Sequence, residues 1–230
     1  MNVKSFLAMA ALALFATVAT GCSDDDDPVV DTPSVDDSSS QGVKEMTVST
    51  SDYSLWTYIN LKTGETQTAT VAGPWKYIGG ENEVLEEKDP EIKGTVPAEW
   101  DIAFHYYEIR TNNSQAVVTD AKELAAVKEL PATGWESDKA VKAEDQEIIV
   151  DMKNMMQGKV GYADGIINPA LCKWVTETPT GSMPPTIYTV TDNVYVVKCK
   201  DGNWAKLKFT DKLDGNGKKA IKFSYEYMSK

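Results

Sequence analysis

Short runs of alternating apolar and polar residues, broken by turn signals, fill the chain from Met46 onward. Leu55-Trp56-Thr57-Tyr58-Ile59-Asn60-Leu61 alternates and stops at Thr63-Gly64, and residues 67–71 read as the returning strand of a hairpin. Trp75-Lys76-Tyr77-Ile78, set between Gly73-Pro74 and Gly79-Gly80, predicts another short strand. Residues 100–110 are the most apolar run. Ile102, Phe104 and Tyr106 share one face there, and Ala103, His105 and Tyr107 share the other. With both faces apolar, the run predicts one central strand ended by Asn112-Asn113-Ser114. Residues 147–152 and 186–190 predict two further strands. Residues 193–199, 204–209 and 221–227, joined through Asp201-Gly202 and Gly215-Asn216-Gly217, predict an antiparallel meander. Only residues 121–127 carry a helical pattern, and no repeat period is visible. The expected fold is mainly β: a single antiparallel β-rich domain, residues 46–230, with few short helices.

The first residues follow a different pattern. Lys4 precedes an apolar run over residues 6–16, and Ala19-Thr20-Gly21 leads into Cys22. A basic start, a short apolar core and small residues before a cysteine make residues 1–21 a secretory signal, too short to span a bilayer. The cysteine context is similar to a bacterial lipobox, in which Cys22 is lipidated and becomes the mature N-terminus. Several acyl chains anchor a protein stably where one does not. The following Ser23-Asp24-Asp25-Asp26-Asp27 resembles the export signal of surface lipoproteins in Bacteroidetes-type bacteria. Residues 22–45 are rich in Asp, Ser and Pro, cannot bury enough apolar area to offset chain entropy, and read as a disordered acidic tether.

The formal charge of −12 overstates the acidity of the folded part. From Met46 onward there are 21 Lys and Arg against 27 Asp and Glu, a balance of −6. No basic stripe exists, which argues against nucleic acid as a partner and leaves the lipid anchor as the only membrane contact. Cys172 and Cys199 either pair or serve as small buried apolar residues. The single histidine, His105, excludes His-pair metal sites, and its place in an apolar strand predicts a structural core role. The carboxylates around Pro90, from Glu81 to Glu91, read as a solvated loop without calcium-loop spacing. With no GxSxG and no metal cluster, a binding protein is expected rather than an enzyme.

Two groups of methionines carry the remaining chemistry. Met152, Met155 and Met156 cluster in residues 151–158, and Met183 sits in Gly181-Ser182-Met183-Pro184-Pro185. Thioether sulfur is a soft ligand for copper(I) or haem iron. Methionine also fills gaps in apolar clusters, and that reading stays open for Met155 and Met156.

Several longer words carry a resemblance. They are Trp100-Asp101-Ile102-Ala103-Phe104-His105, residues 150–163, Asn168-Pro169-Ala170-Leu171-Cys172-Lys173-Trp174, Met183-Pro184-Pro185 with Tyr188, residues 194–198 with Asp201-Gly202, and Phe223-Ser224-Tyr225-Glu226-Tyr227. Together, from about Trp56 to the end, they resemble the HmuY-like haem-binding lipoproteins. The resemblance implies a β-rich domain shaped like a right hand, with haem iron held between two axial side chains on separate loops. It further implies a haemophore that takes haem from host haemoproteins and delivers it to a TonB-dependent outer-membrane receptor. The protein would be lipid-anchored in the outer membrane, surface-exposed, and in part shed. The best-known member uses two histidines, whereas neither ligand region holds one here. Mapped onto this chain, the axial ligands fall on Met156 and Met183, with Met152 and Met155 as alternates for the first. Tyr106, Tyr107, Trp135 and Tyr188 are candidates to flank a porphyrin or to be core. The alternative is a surface adhesin or glycan-binding lipoprotein without haem, with Trp75 or Trp135 exposed to stack on sugar rings.

Overall fold

The computed structural model describes residues 40–182, 186–215 and 218–230. Its largest sheet has six antiparallel strands in the order β1 (Ser40–Ser49), β18 (Lys218–Met228), β17 (Trp204–Gly215), β16 (Val194–Lys198), β8 (Gln115–Val118) and β9 (Glu136–Ser137). The last three long strands form the meander expected from sequence. Their alternation explains the burial: Ile221, Phe223, Tyr225 and Tyr227 point inward while Lys222, Ser224 and Glu226 remain partly solvated. β1 begins at Ser40, inside the span read as tether, and pairs with β18 as an edge strand.

A second sheet runs β3 (Thr66–Thr70), β2 (Leu55–Ile59), β6 (Ile102–His105), β7 (Glu108–Thr111). It lies between two cores. Ile59, Ile102 and Phe104 pack with Phe209, Phe223, Trp174 and Tyr195 against the large sheet. From the other side, Trp56, Tyr58 and Ala103 pack with Trp75, Tyr77, Trp100 and Ile148. The second of these cores is roofed by a third sheet, β11 (Ile148–Asp151), β12 (Val160–Ala163), β4 (Trp75–Ile78), β5 (Val84–Lys88). Two small ribbons complete the fold: β10 (Lys139–Val141) with β13 (Gly165–Ile167), and β14 (Val175–Pro179) with β15 (Thr186–Val190).

Helix is limited to four 3-10 turns among the described residues, at Leu124–Ala126, Ala143–Asp145, Met155–Gln157 and Leu171–Trp174. The mainly antiparallel β architecture is therefore as expected, with three local differences. The helix predicted over 121–127 is a single 3-10 turn. The acidic loop around Pro90 contains the edge strand β5, every residue of which faces solvent. The predicted central strand 100–110 is a hairpin, because the chain reverses at Tyr106 and Tyr107, opposing His105 to Glu108. Cys172 and Cys199 are free thiols, so pairing is excluded, and each is desolvated among apolar neighbours. Burial pushes the Cys172 thiol up to about 12.

Candidate ligand-binding site

The first methionine region is the loop joining β11 to β12. Asp151 closes its start by accepting from the Lys153 amide at 2.9 Å, and its other carboxylate oxygen accepts from the Tyr77 hydroxyl at 3.1 Å. Backbone bonds from Met155 to Met152 and from Gln157 to Asn154, both 3.0 Å, wind the single turn. Gly158 ends it at φ +72°, a conformation that costs glycine nothing. The turn buries none of its own residues. Met152 is half-buried, Met155 is 47% exposed and Met156 is 87% exposed. Two thioethers thus face solvent on a loop held almost entirely by its backbone.

The second region is the turn between β14 and β15. Met183, Pro184 and Pro185 lie outside the described residues, as does Cys22. Thr180 and Ser182 bond each other across the near side of that turn. Tyr188 sits on β15 opposite Glu177 of β14.

Four half-buried tyrosines form a shelf beside this ribbon. Tyr188 lies 4.2 Å from Tyr107 by ring centroid, Tyr107 stacks on Tyr106 at 4.0 Å, and Tyr53 tilts against Tyr106 at 5.1 Å. The hairpin that presents Tyr106 places it at φ +50°, in the left-handed region that bulky residues avoid. Contacts on both sides hold it there. The Lys219 ammonium donates to the Tyr106 hydroxyl at 2.8 Å and lies over its ring at 4.2 Å. Below, His105 Nε2 donates to the Tyr53 carbonyl at 2.8 Å, while Nδ1 meets Glu108 Oε2 at 3.1 Å. His105 is thus a core residue that fixes the base of the shelf, as its strand position predicts.

Burial favours the neutral phenol at three of the four tyrosines. Burial raises Tyr106 well above the ordinary phenol range, with Tyr107 and Tyr53 adding to the effect, and burial pushes Tyr107 up to about 12. Tyr188 is raised for the same reason. Burial acts to raise Asp52, next to Tyr53, but bonds from the Ser54 hydroxyl and amide, with attraction from Lys93 and Lys153, hold it below the usual carboxylate value. The tyrosines adjoin the β14–β15 ribbon through Tyr188, and Asp52 beside Tyr53 senses the charge of Lys153 on the methionine loop. Neutral flat rings and soft neutral sulfur donors suit a flat, largely apolar ligand bearing a soft metal.

The other aromatic candidates fall elsewhere. Trp135 packs against a third cluster with Val117 and Trp204, under the Lys198 ammonium at 4.2 Å. Trp75 is buried and donates to the Val71 carbonyl at 3.1 Å. None of the six tryptophans is exposed. Tyr53, the end member of the shelf, has no sequence signal beyond its place before a strand. No cluster of three or more His, Cys, Asp or Glu suited to a metal ion occurs among the described residues. Nor, among those residues, is any helix long and apolar enough to cross a membrane.

Comparison with known proteins places this arrangement in context. No curated protein matches the chain. A solved structure from Tannerella forsythia, an apo HmuY analog named TFO, is 32% identical, with a TM-score of 0.70 over 86% of this chain and 100% of that one. Apo PinO from Porphyromonas gingivitis is also 32% identical, with a TM-score of 0.68 over 83% of this chain and 99% of that one. A protein from Bacteroides vulgatus assigned as HmuY-like and heme binding is 27% identical, with a TM-score of 0.62 over 80% of this chain and 90% of that one. The model of the HmuY protein family matches residues 52–227, which takes in the strands after β1, the methionine loop and the tyrosine shelf alike, and the chain belongs to that family.

Proposed function

We propose that this protein is a surface haem-binding lipoprotein that captures haem through methionine and does no catalysis. Family membership carries the reading, since a relative of this fold is assigned as heme binding. The exposed thioethers of Met155 and Met156 give it a chemical basis in this chain. Met156, the most accessible, is the first choice for one axial position, with Met155 and Met152 as alternates, and Met183, between β14 and β15 in the chain, is the choice for the second. The tyrosine shelf would take the porphyrin face, and Lys219 offers a cation at its edge. Haem supplies an iron centre that thioether donors hold best when reduced. Anchoring through Cys22 would keep the domain at the outer membrane, to take haem from host haemoproteins and pass it to a TonB-dependent receptor.

Titration of the purified protein with haemin tests this reading. A Soret change saturating at one equivalent is the expected outcome. Absence of any saturable change in either redox state, together with glycan-array binding, would establish the adhesin alternative. The structure gives that alternative little support, because no tryptophan is exposed to stack on a sugar.

A further inference from the structure

The methionine loop has a chemistry of its own. Met228 is only 6% exposed, Met46 and Met152 are half-buried, but Met156 is 87% and Met155 47% exposed. Among the described residues Met156 is left largely uncovered, and the turn that presents it is fixed by backbone bonds rather than by packing of its side chains. A thioether in that setting is open to two-electron oxidants. We infer that Met156, followed by Met155, is an oxidation site, at which peroxide-class oxidants convert the thioether to the sulfoxide and switch off capture of the soft-metal ligand. The inference rests on the haem-binding reading given above.

The step balances simply. The sulfur lone pair attacks one oxygen of hydrogen peroxide, the O–O bond breaks, and the sulfur keeps that oxygen while water leaves. Sulfur is oxidised and peroxide reduced. The product is polar and chiral, and its lone pair no longer serves as a soft donor. It also places a polar group where an apolar face would seat. The backbone of the turn is untouched, so the fold survives. The change is reversible by methionine sulfoxide reductases, which makes it a switch rather than damage.

The test exposes the purified, haem-free protein to graded hydrogen peroxide and maps added oxygen by peptide mass spectrometry. Met156 should gain one oxygen first, Met155 next, Met46 and Met152 later, and Met228 last. Haemin affinity of the same sample should fall about tenfold or more as Met156 is oxidised, and return after treatment with a methionine sulfoxide reductase and thiol. Circular dichroism should not change. Oxidation of Met228 before Met156, or full Met156 sulfoxide with undiminished haemin affinity, would overturn the inference. Untreated protein that takes up no haemin would overturn the haem-binding reading and the switch together. That failure is distinct, because it appears before any peroxide is added.

Discussion

At the residue scale, one side chain shows how single groups hold the fold and another how they shape the shelf. Asp101 is buried where the second sheet meets the β16–β17 turn, and accepts from the Leu61 amide at 2.8 Å and the Lys200 amide at 2.9 Å. Burial raises its pKa although both amides act to lower it. Asp101→Asn presents a donor to one of those amides and should lower stability by about 1–3 kcal/mol, measured as an earlier thermal midpoint. An unchanged midpoint would show that the amides find other partners. Tyr106 is the converse case. Its left-handed backbone costs about 1–2 kcal/mol in a bulky residue, so Tyr106→Gly relieves strain while removing the ring contacts to Tyr53 and Tyr107. Haemin affinity should fall in this variant with little change in thermal midpoint. Loss of stability with full affinity would make the tyrosines structural only.

At the element scale, the sheets set the response to acid. Asp164, between β12 and β13, accepts from Lys142 Nζ at 2.7 Å and the Ala143 amide at 2.9 Å, and both hold its pKa down. Asp201 is desolvated, yet bonds from Tyr227 and Asn203 keep it below its usual value. A carboxylate depressed in the folded state stabilises above its unfolded pKa, about 3.9, and loses that contribution as pH falls through the folded value. Asp101, raised instead, works in the opposite sense. Its contribution is full at low pH and is lost as pH rises through its unfolded value toward the folded one. The thermal midpoint should therefore fall as pH drops below about 4, and Asp164→Asn should flatten that fall. A midpoint constant down to pH ~2 would contradict it.

The elements also show what sequence can express. Alternation marks β2, β4, β16, β17 and β18, because each buries one or both faces of a regular strand. It marks β6 too, but not the reversal after it: Tyr106 and Tyr107 are no turn formers, and the turn is held by Lys219, Tyr188 and Tyr53 from distant parts of the chain. Residues 121–127 have helical propensity, yet a segment far below the roughly 12 residues needed for a stable helix follows its packing. Only Leu124 and Val127 are buried there, one 3-10 turn apart. Ser40 to Glu45 have the composition of a tether, and their strand exists because β18 offers an edge. The methionines were legible as soft donors, whereas the shelf depends on four tyrosines that meet only in three dimensions.

At the scale of the whole molecule, the sheets carry the proposed ligand surface at their connecting segments. The doubly covered second sheet fixes the hairpin of Tyr106, the third sheet fixes the methionine loop, and the β14–β15 ribbon carries Tyr188 and the approach to Met183. This separation of scaffold from site fits a family that keeps one fold, with the proposed thioether ligands of this chain carried on loops. Neutral thioethers do not titrate near neutral pH, so haem capture should change little between pH 5 and pH 8, the interval in which a histidine ligand would protonate, near ~6.5. A steep loss of affinity across that interval would point to an imidazole ligand instead.

The most direct test compares ferric and ferrous haem affinity for the native protein, Met156→Ala and Met183→Ala, by visible titration in air and under dithionite. The account predicts tighter ferrous binding in the native protein, and a loss of that preference in each variant. Equal affinity in the two redox states, unaffected by either substitution, would contradict thioether capture of haem.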